Sequence, residues 1–431
     1  MDDVFPRLVS CVGLLVMLLL GFAMGKNRSQ VNWRIVGGGL LAQFVLALFV
    51  MRTEEGNQLF TAIGGVFAGM LNFVDVGSEM VFGNNYTEFF FAFKVLPTII
   101  FFSSLMAVLY YLKIIQPLVG FLAWAMRVTF RTSGAETLAV AANIFVGQTE
   151  APLVVKPYVP AMTKSELMSL MVGGFATISG GILAAYIGIG IDATHLVSAS
   201  VISAPAALVI AKLLEPETET PLTLGQGVTI QKTDSEPVNV VDAAARGAGD
   251  GLTLALNVGA MLIAFLALLA GVDWLVGFLG EICESIVNAF RNEGQVDFQW
   301  ALASIMGWVF SPLAWLMGIR WEECYIAGEL LGYKLFANEF IAYQNLSEMQ
   351  QNAETALSER TTVILTYALC GFANFGSIGI QIAGIGGIAP SRRSDLAKLA
   401  VRAMLGGTLA AFMTACFAGM LYGVPWDIIK W

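Results

Sequence analysis

The sequence predicts an all-α polytopic membrane protein: eight transmembrane helices, interfacial helices, and inverted repeats built on broken helices. Three observations carry that expectation. Only 13% of the 431 residues are charged and 57% are hydrophobic, against roughly 25% charged in soluble domains. Eight apolar runs approach the ~20 residues that cross a bilayer. Two further regions combine glycine breaks with isolated carboxylates in a matching plan.

The spans fall near 7–25, 35–51, 95–112, 166–188, 194–212, 251–279, 361–389 and 399–423. Basic residues prefer the cytoplasmic side and so choose the orientation. Lys26, Arg28 and Arg34 lie between the first two spans, Arg127 and Arg131 after the third, and Arg392, Arg393, Lys398 and Arg402 before the last. With those loops inside, both termini lie outside. The first run follows an acidic "MDD" and ends in basic residues, the reverse of a signal peptide's charge order. It reads as a transmembrane helix.

Segments 57–77 and 116–134 mix apolar and polar residues around glycines, as helices lying along a membrane surface do. The stretch 215–242, "EPETETPLTLGQGVTIQKTDSEPVNVVD", is polar and proline-bearing and reads as a solvated cytoplasmic connector.

A net charge of −9 argues against nucleic acid, which demands basic clusters. The five cysteines show no CxxC spacing, which favours small core residues over zinc ligands. His195, the single histidine, sits beside Asp192 in what reads as a short external turn. No G-x-x-x-x-G-K-[ST] stretch marks an ATP site.

The chemistry concentrates in the interrupted regions. The first is 135–158 with "NIFVGQTEAPLVVKPYVP", followed by the glycine-broken span 167–191. The second is 324–346 with "NEFIAY", followed by 362–390. By the topology above, one pair enters from the cytoplasm and the other from outside, the layout in which discontinuous helices meet near the bilayer midplane. Irregular backbone at that depth is tolerated only around a protein-lined cavity. A carboxylate there costs at least about 2.5–3.5 kcal/mol on insertion scales, so it usually faces a substrate or ion path. Glu150 and Glu339 are the two such cases; the plainer alternative pairs them with Lys156 and Lys334.

Gln148 and Thr149 set donors and acceptors beside Glu150, suited to the amide-like edge of a heterocycle. Glu339, Asn374 and Ser377 suit a vicinal diol. Phe372 and Phe375 offer flat walls, although packing is the simpler role for both, more so for Phe375. No Arg or Lys belongs to the set, so an uncharged, polar, partly aromatic solute fits it.

These motifs resemble the concentrative nucleoside transporter family, bacterial branch. The resemblance rests on "FKVLPTIIFFSSLMAVLYYL" (93–112), "GQTEAPLVVKPY" (147–158), "GGFATISGGILAAY" (173–186), "SPLAWLMGI" (311–319), "NEFIAY" (338–343) and "GFANFGSIGIQIAGIGGIAP" (371–390). It implies a homotrimer in the bacterial cytoplasmic (inner) membrane, each protomer with scaffold and transport parts and two re-entrant helical hairpins at 135–158 and 323–346. It implies that Gln148, Thr149 and Glu150 meet the nucleobase with Ile182 as apolar neighbour. Glu339, Asn374 and Ser377 then meet the ribose, with Phe372 as a wall. A sodium ion is implied at Asn143, Val146, Thr177 and Ile178, although some relatives use protons, which Glu150 could carry. Gly376, where many relatives have serine, and Gly147 leave room that would admit purines as well as pyrimidines.

The expected organisation is scaffold over 1–134, a first transport half over 135–214, a connector over 215–250, scaffold over 251–322, a second transport half over 323–390 and a last span over 391–431. The expected function is cation-coupled import of uridine-type and purine nucleosides by alternating access, sodium favoured over protons, with no cofactor and with membrane lipids as surroundings. Two other classes compete less well. A membrane hydrolase using Glu150 and Glu339 as an acid/base pair lacks supporting residues, and a channel has no need of mirrored broken spans.

Overall fold

The computed structural model describes residues 4–89, 91–225, 228, 237–290 and 301–423. The helices run α1 (Val4–Met24), α2 (Trp33–Arg52), α3 (Glu54–Phe82), α4 (Leu96–Tyr111), α5 (Ile115–Phe130), α6 (Gly134–Ala142), α7 (Ala151–Val154), α8 (Lys164–Ala176) and α9 (Gly180–Gly188). They continue with α10 (Ala193–Leu214), α11 (Val240–Phe290), α12 (Leu302–Leu316), α13 (Trp321–Phe336), α14 (Glu339–Gln351), α15 (Glu359–Leu369), α16 (Phe375–Ile388) and α17 (Arg393–Leu421). Among the described residues, eight stretches are long and apolar enough to cross a membrane: Val4–Met24, Trp33–Arg52, Glu54–Phe82, Phe91–Tyr111, Lys164–Gly188, Ala193–Leu214, Val240–Ser285 and Pro390–Leu421.

Seven of these match expected spans. The eighth is α3, whose 29 residues contain the segment 57–77 read from sequence as interfacial. The expected span 361–389 is two helices, α15 and α16, parted at Cys370–Asn374, the break expected of that glycine-bearing segment. Segment 116–134 gives the 16-residue α5, too short to span. The connector also differs from its reading. α11 begins at Val240, inside 215–250, and the chain just after α10 is tied down at Glu217 and Thr223, with Thr218, Glu219 and Thr220 between them exposed. Gly134 N–H donates to the Thr223 carbonyl (3.1 Å) and Thr163 Oγ1 to Glu217 Oε2 (2.8 Å). Residues 226, 227 and 229–236 of that stretch lie outside the described residues.

Burial sorts the helices into two tiers. α8, α10 and α17 are almost wholly buried, whereas α1 to α4 and α11 leave most of their apolar surface outward. Without a hydrophobic drive between helices in lipid, small residues and polar links hold such a core. Accordingly, α10 is rich in alanine and serine and α17 in alanine and glycine. Gln43 on α2 donates to Thr414 Oγ1 on α17 (3.1 Å), which shares a further hydrogen bond with Ser203 on α10 (3.1 Å).

The broken spans have local causes. α8 ends at Thr177–Ser179, and Ser179 restarts α9 by accepting from the Ile182 amide. The α15–α16 break contains Gly371 at φ +116°, a left-handed value that side chains rarely adopt. A Cβ there would stand 2.6 Å from the Phe175 carbonyl oxygen and 2.9 Å from Ala176 C. The two breaks thus meet backbone to backbone, and only glycine permits it.

At the base of the α6 segment lies a buried ionic cluster. Lys212 Nζ stands 2.6 Å from Glu136 Oε2 and donates to Ser165 Oγ at 2.8 Å; Ser133 Oγ donates to Glu166 Oε1 at 2.5 Å. Glu136 and Glu166 also complete capping boxes with Ser133 and Thr163, so each fixes a helix start as well as the cluster. Arg402 on α17 reaches Glu215 Oε2 at 2.5 Å.

Candidate functional site

The segment between α6 and α7 is non-helical over residues 143–150, and α7 is a single turn. Its tip is tied down by backbone. Gly180 N–H donates to the Phe145 carbonyl (3.1 Å), and Ser200 Oγ to the Ile144 carbonyl (3.2 Å). The tip therefore rests on the start of α9, beside the α8 break.

From that tip Gln148 points into the junction with α16. Its Nε2 donates to Ser377 Oγ at 3.4 Å, and Gln381 Nε2 donates to its Oε1 at 3.1 Å. Ser377 and Gln381 lie four residues apart, on one face of α16. Asn374 caps that helix, its Oδ1 accepting from the Ser377 amide at 2.8 Å, while its Nδ2 donates to Glu339 Oε2 at 2.9 Å. Tyr186 on α9 donates to the other Glu339 oxygen at 2.8 Å. Glu339 opens α14, which Asn338 caps. One continuous polar network thus runs from Tyr186 through Glu339, Asn374, Ser377 and Gln148 to Gln381. All six residues are almost fully buried and come from four separate segments.

The remaining expected residues are near but differently placed. Thr149 packs its methyl against α16, 3.2 Å from where a Cβ on Gly384 would stand. Ile182 is buried in the first turn of α9. Phe372 lies in the α15–α16 break, half-buried, its carbonyl accepting from Asn374 N–H at 2.9 Å. Phe375 is exposed and packs on Phe336, with ring centroids 5.5 Å apart, outside the network. Glu150 is exposed to a cavity of about 890 Å³, in the size range of small-molecule sites. That cavity is walled by the tip, the start of α9, α4 and α11, and Arg246 and Asp250 of α11 also line it.

Four sequence readings change. Lys334 is buried and donates to the Ala368 carbonyl (2.8 Å) and the Cys370 carbonyl (3.4 Å), serving the end of α15 rather than forming a direct ion pair with Glu339. The space beside Gly147 is filled by the chain itself: a Cβ there would stand 2.3 Å from Glu150 Oε2. His195 is not in a loop but in the first turn of α10, its Nδ1 3.3 Å from Tyr367 Oη. And Tyr186 and Gln381 were missed. A phenol and an amide inside apolar runs need partners, and that signal was legible in "LAAYIG" and "IGIQIAG".

The four expected ion ligands lie on two segments, Asn143 and Val146 on the tip and Thr177 and Ile178 in the α8–α9 break. Asn143 ends the α6 segment close to Gly173, one turn before Thr177; a Cβ on Gly173 would lie 3.4 Å from Asn143 Nδ2. Both polar side-chain atoms of Asn143 are buried without a hydrogen-bond partner among the described residues. Buried polar groups are rarely left so. Val146 lines the cavity, Ile178 is fully buried in the α8–α9 break, and Thr177 Oγ1 donates to the Gly173 carbonyl at 2.9 Å.

Comparison with known proteins places this architecture. Three family models match: "Na+ dependent nucleoside transporter N-terminus" over residues 12–85, "Nucleoside recognition" over 92–193, and "Na+ dependent nucleoside transporter C-terminus" over 195–419. The mouse solute carrier family 28 member 3 is 44% identical over 434 residues, 98% of this chain but 60% of that protein. The rat sodium/nucleoside cotransporter 1 is 44% identical over 440 residues, covering 98% of this chain and 66% of that protein. The chain thus spans about three-fifths to two-thirds of these relatives' length. Among solved structures, CNTnw in an inward-facing substrate-bound state superposes with a TM-score of 0.88 at 38% identity, covering 97% of this chain and 98% of that one. A variant of CNTnw in an outward-facing state gives a TM-score of 0.86 at 38% identity, covering 97% of this chain and 98% of that one. The chain belongs to the sodium-dependent nucleoside transporter family, a family of transporters rather than enzymes.

Proposed function

We propose that the protein is a sodium-coupled symporter that imports nucleosides by alternating access. The observation that carries this reading is the buried network joining Gln148, Ser377, Asn374 and Glu339. It sets an amide, a hydroxyl and a carboxylate around one junction with no cation directly paired to the carboxylate, which suits a neutral solute with a hydrogen-bonding heterocycle and a diol. Gln148, Thr149 and Glu150 take the base, with Ile182 as apolar neighbour. Glu339, Asn374 and Ser377 take the ribose, with Phe372 as a wall. The tip segment 135–158 and the α13–α14 pair act as two re-entrant hairpins of opposite orientation, and α3 and α5 lie along the membrane surface.

Sodium sits between the tip residues Asn143 and Val146 and the break residues Thr177 and Ile178. An amide oxygen, a hydroxyl and carbonyls freed by broken helices are hard oxygen ligands of the kind that hold alkali ions at such sites. The two unpartnered polar atoms of Asn143 support this, since a bound cation satisfies the buried oxygen. The cavity facing Glu150 is the aqueous route to one side of the membrane. The outward apolar surface of α11 and its neighbours is shared between lipid and two further copies of the chain in a homotrimer. Both termini face outward from a bacterial cytoplasmic membrane, following the basic loops. Pyrimidine and purine nucleosides are both substrates.

The test is equilibrium binding of labelled uridine to the purified protein, in sodium chloride and in choline chloride. Saturable binding that tightens with sodium is expected. Binding indifferent to sodium would remove the ion site, and no binding of uridine or adenosine would remove the nucleoside site.

A further inference from the structure

We propose that Gln381 is a positioning residue that fixes the direction of the Gln148 amide, and so decides which hydrogen-bonding polarity the tip presents to the nucleobase. The proposal rests on the reading of Gln148 as a base-side residue.

The chain of constraint starts at a group that cannot reverse. The Met171 carbonyl on α8 only accepts, and Gln381 donates to it through Nε2 at 3.1 Å. That contact fixes which end of the Gln381 amide is nitrogen. The same nitrogen donates to Gln148 Oε1 at 3.1 Å, so the Gln148 oxygen is committed to α16. What Gln148 has left to offer is its NH₂. One proton is directed at Ser377 Oγ over a long 3.4 Å, and in this proposal the other serves the ligand.

The relay is tightly seated. Gln381 is almost completely buried on α16. A Cβ on Gly174 would stand 2.7 Å from Gln381 Nε2 and 3.0 Å from the Gln148 Cβ, so only glycine at 174 lets both amides pack against α8. Without Gln381, the Gln148 amide can turn over and present oxygen or nitrogen alike.

An amide held with its NH₂ outward favours a base with a carbonyl on the facing edge over one with an amino group there. Uridine and cytidine differ in this way, as do inosine and adenosine. The discrimination reads as a ratio of uptake efficiencies between the members of each pair, which general loss of packing does not change.

The experiment uses the full chain reconstituted in proteoliposomes, with kcat/KM measured for labelled uridine and cytidine. Gln381→Met keeps length and apolar volume but removes both hydrogen bonds. It is expected to move the uridine-to-cytidine ratio toward cytidine by about three- to tenfold, the worth of one oriented hydrogen bond. Gln148→Ala should shift the ratio by the same amount, and adding Gln381→Met to it should change the ratio no further. Gly174→Ala disturbs the relay from the α8 side and should shift the ratio in the same direction. It carries the test if the methionine variant fails to reach the membrane. A ratio unmoved in both the Gln381 and Gly174 variants overturns the proposal, as does a further shift in the double variant. If Gln148→Ala itself transports both nucleosides like the unaltered protein, the base-side reading falls and this inference with it.

Discussion

Asn374 holds two jobs that substitution can separate. Its oxygen caps α16 and its nitrogen donates to Glu339. Serine keeps a capping oxygen but cannot span the 2.9 Å hydrogen bond made by the longer side chain; alanine supplies neither group. Hydrogen bonds to charged partners contribute about 1.5–3 kcal/mol, so both variants should lose about 10- to 150-fold in uridine uptake efficiency. Loss of the cap adds a stability cost of about 0.5–2 kcal/mol to alanine alone. Asn374→Asp keeps the cap but sets a second carboxylate against Glu339. At the 2.9 Å of the present contact, and an effective dielectric of about 20, two full charges would repel by about 6 kcal/mol, so the pair instead holds a proton between its carboxyl groups. The expected order of uptake is therefore unaltered protein, then serine and alanine together. Initial uptake in proteoliposomes measures that order, and melting in detergent should separate alanine from serine. A serine variant that takes up uridine at the unaltered rate would refute the idea that Asn374 holds Glu339 for the substrate.

Glu150→Gln should abolish or strongly cut uptake while insertion into the membrane is unchanged; full transport would remove Glu150 from the site. Thr177→Val deletes only the hydroxyl, and a sodium titration of uptake should show half-saturation shifted severalfold upward with the maximal rate largely kept. An unmoved sodium curve would separate Thr177 from the ion. Lys212→Met leaves Glu136 buried without its cation and should cost about 3–5 kcal/mol in stability. Glu136→Gln in the same chain should recover most of that loss in a thermal melt, and no recovery would mean that the pair is not the source. Gly371→Ala must displace the Phe175 carbonyl, 2.6 Å from the added carbon. It should lower yield and melting temperature, and a neutral result would contradict the close crossing of the two breaks.

Composition and run length made the class of fold and seven of the eight spans legible, because lipid enforces both on any helix that crosses it. The non-helical tip at 143–150 was legible for a related reason, since a glycine break beside polar residues in an apolar stretch interrupts a helix. Residue-level geometry was less so. Nothing in the local sequence says that Lys334 turns to the end of α15, or that the Glu150 carboxylate occupies the space beside Gly147. Those are outcomes of packing between groups 34 to 36 and only three residues apart, respectively. The break in the span at 361–389 was legible in its glycines, but not which of them divides it; that is Gly371, at positive φ. Tyr186 and Gln381 were readable and passed over, each a lone polar side chain in an apolar run. The Glu136–Lys212 pair was hidden because capping-box glutamates look alike whether they end in solvent or in the core.

The central claim is that a sodium gradient drives nucleosides through this chain. The measurement that tests it most directly is accumulation of labelled uridine in proteoliposomes under an inward sodium gradient, compared with an inward proton gradient at matched membrane potential. Uphill accumulation with sodium and none with protons is the expected result. Accumulation with protons alone would keep a nucleoside importer but discard the ion site at Asn143 and Thr177, while failure of both gradients to drive uridine or adenosine would contradict the account.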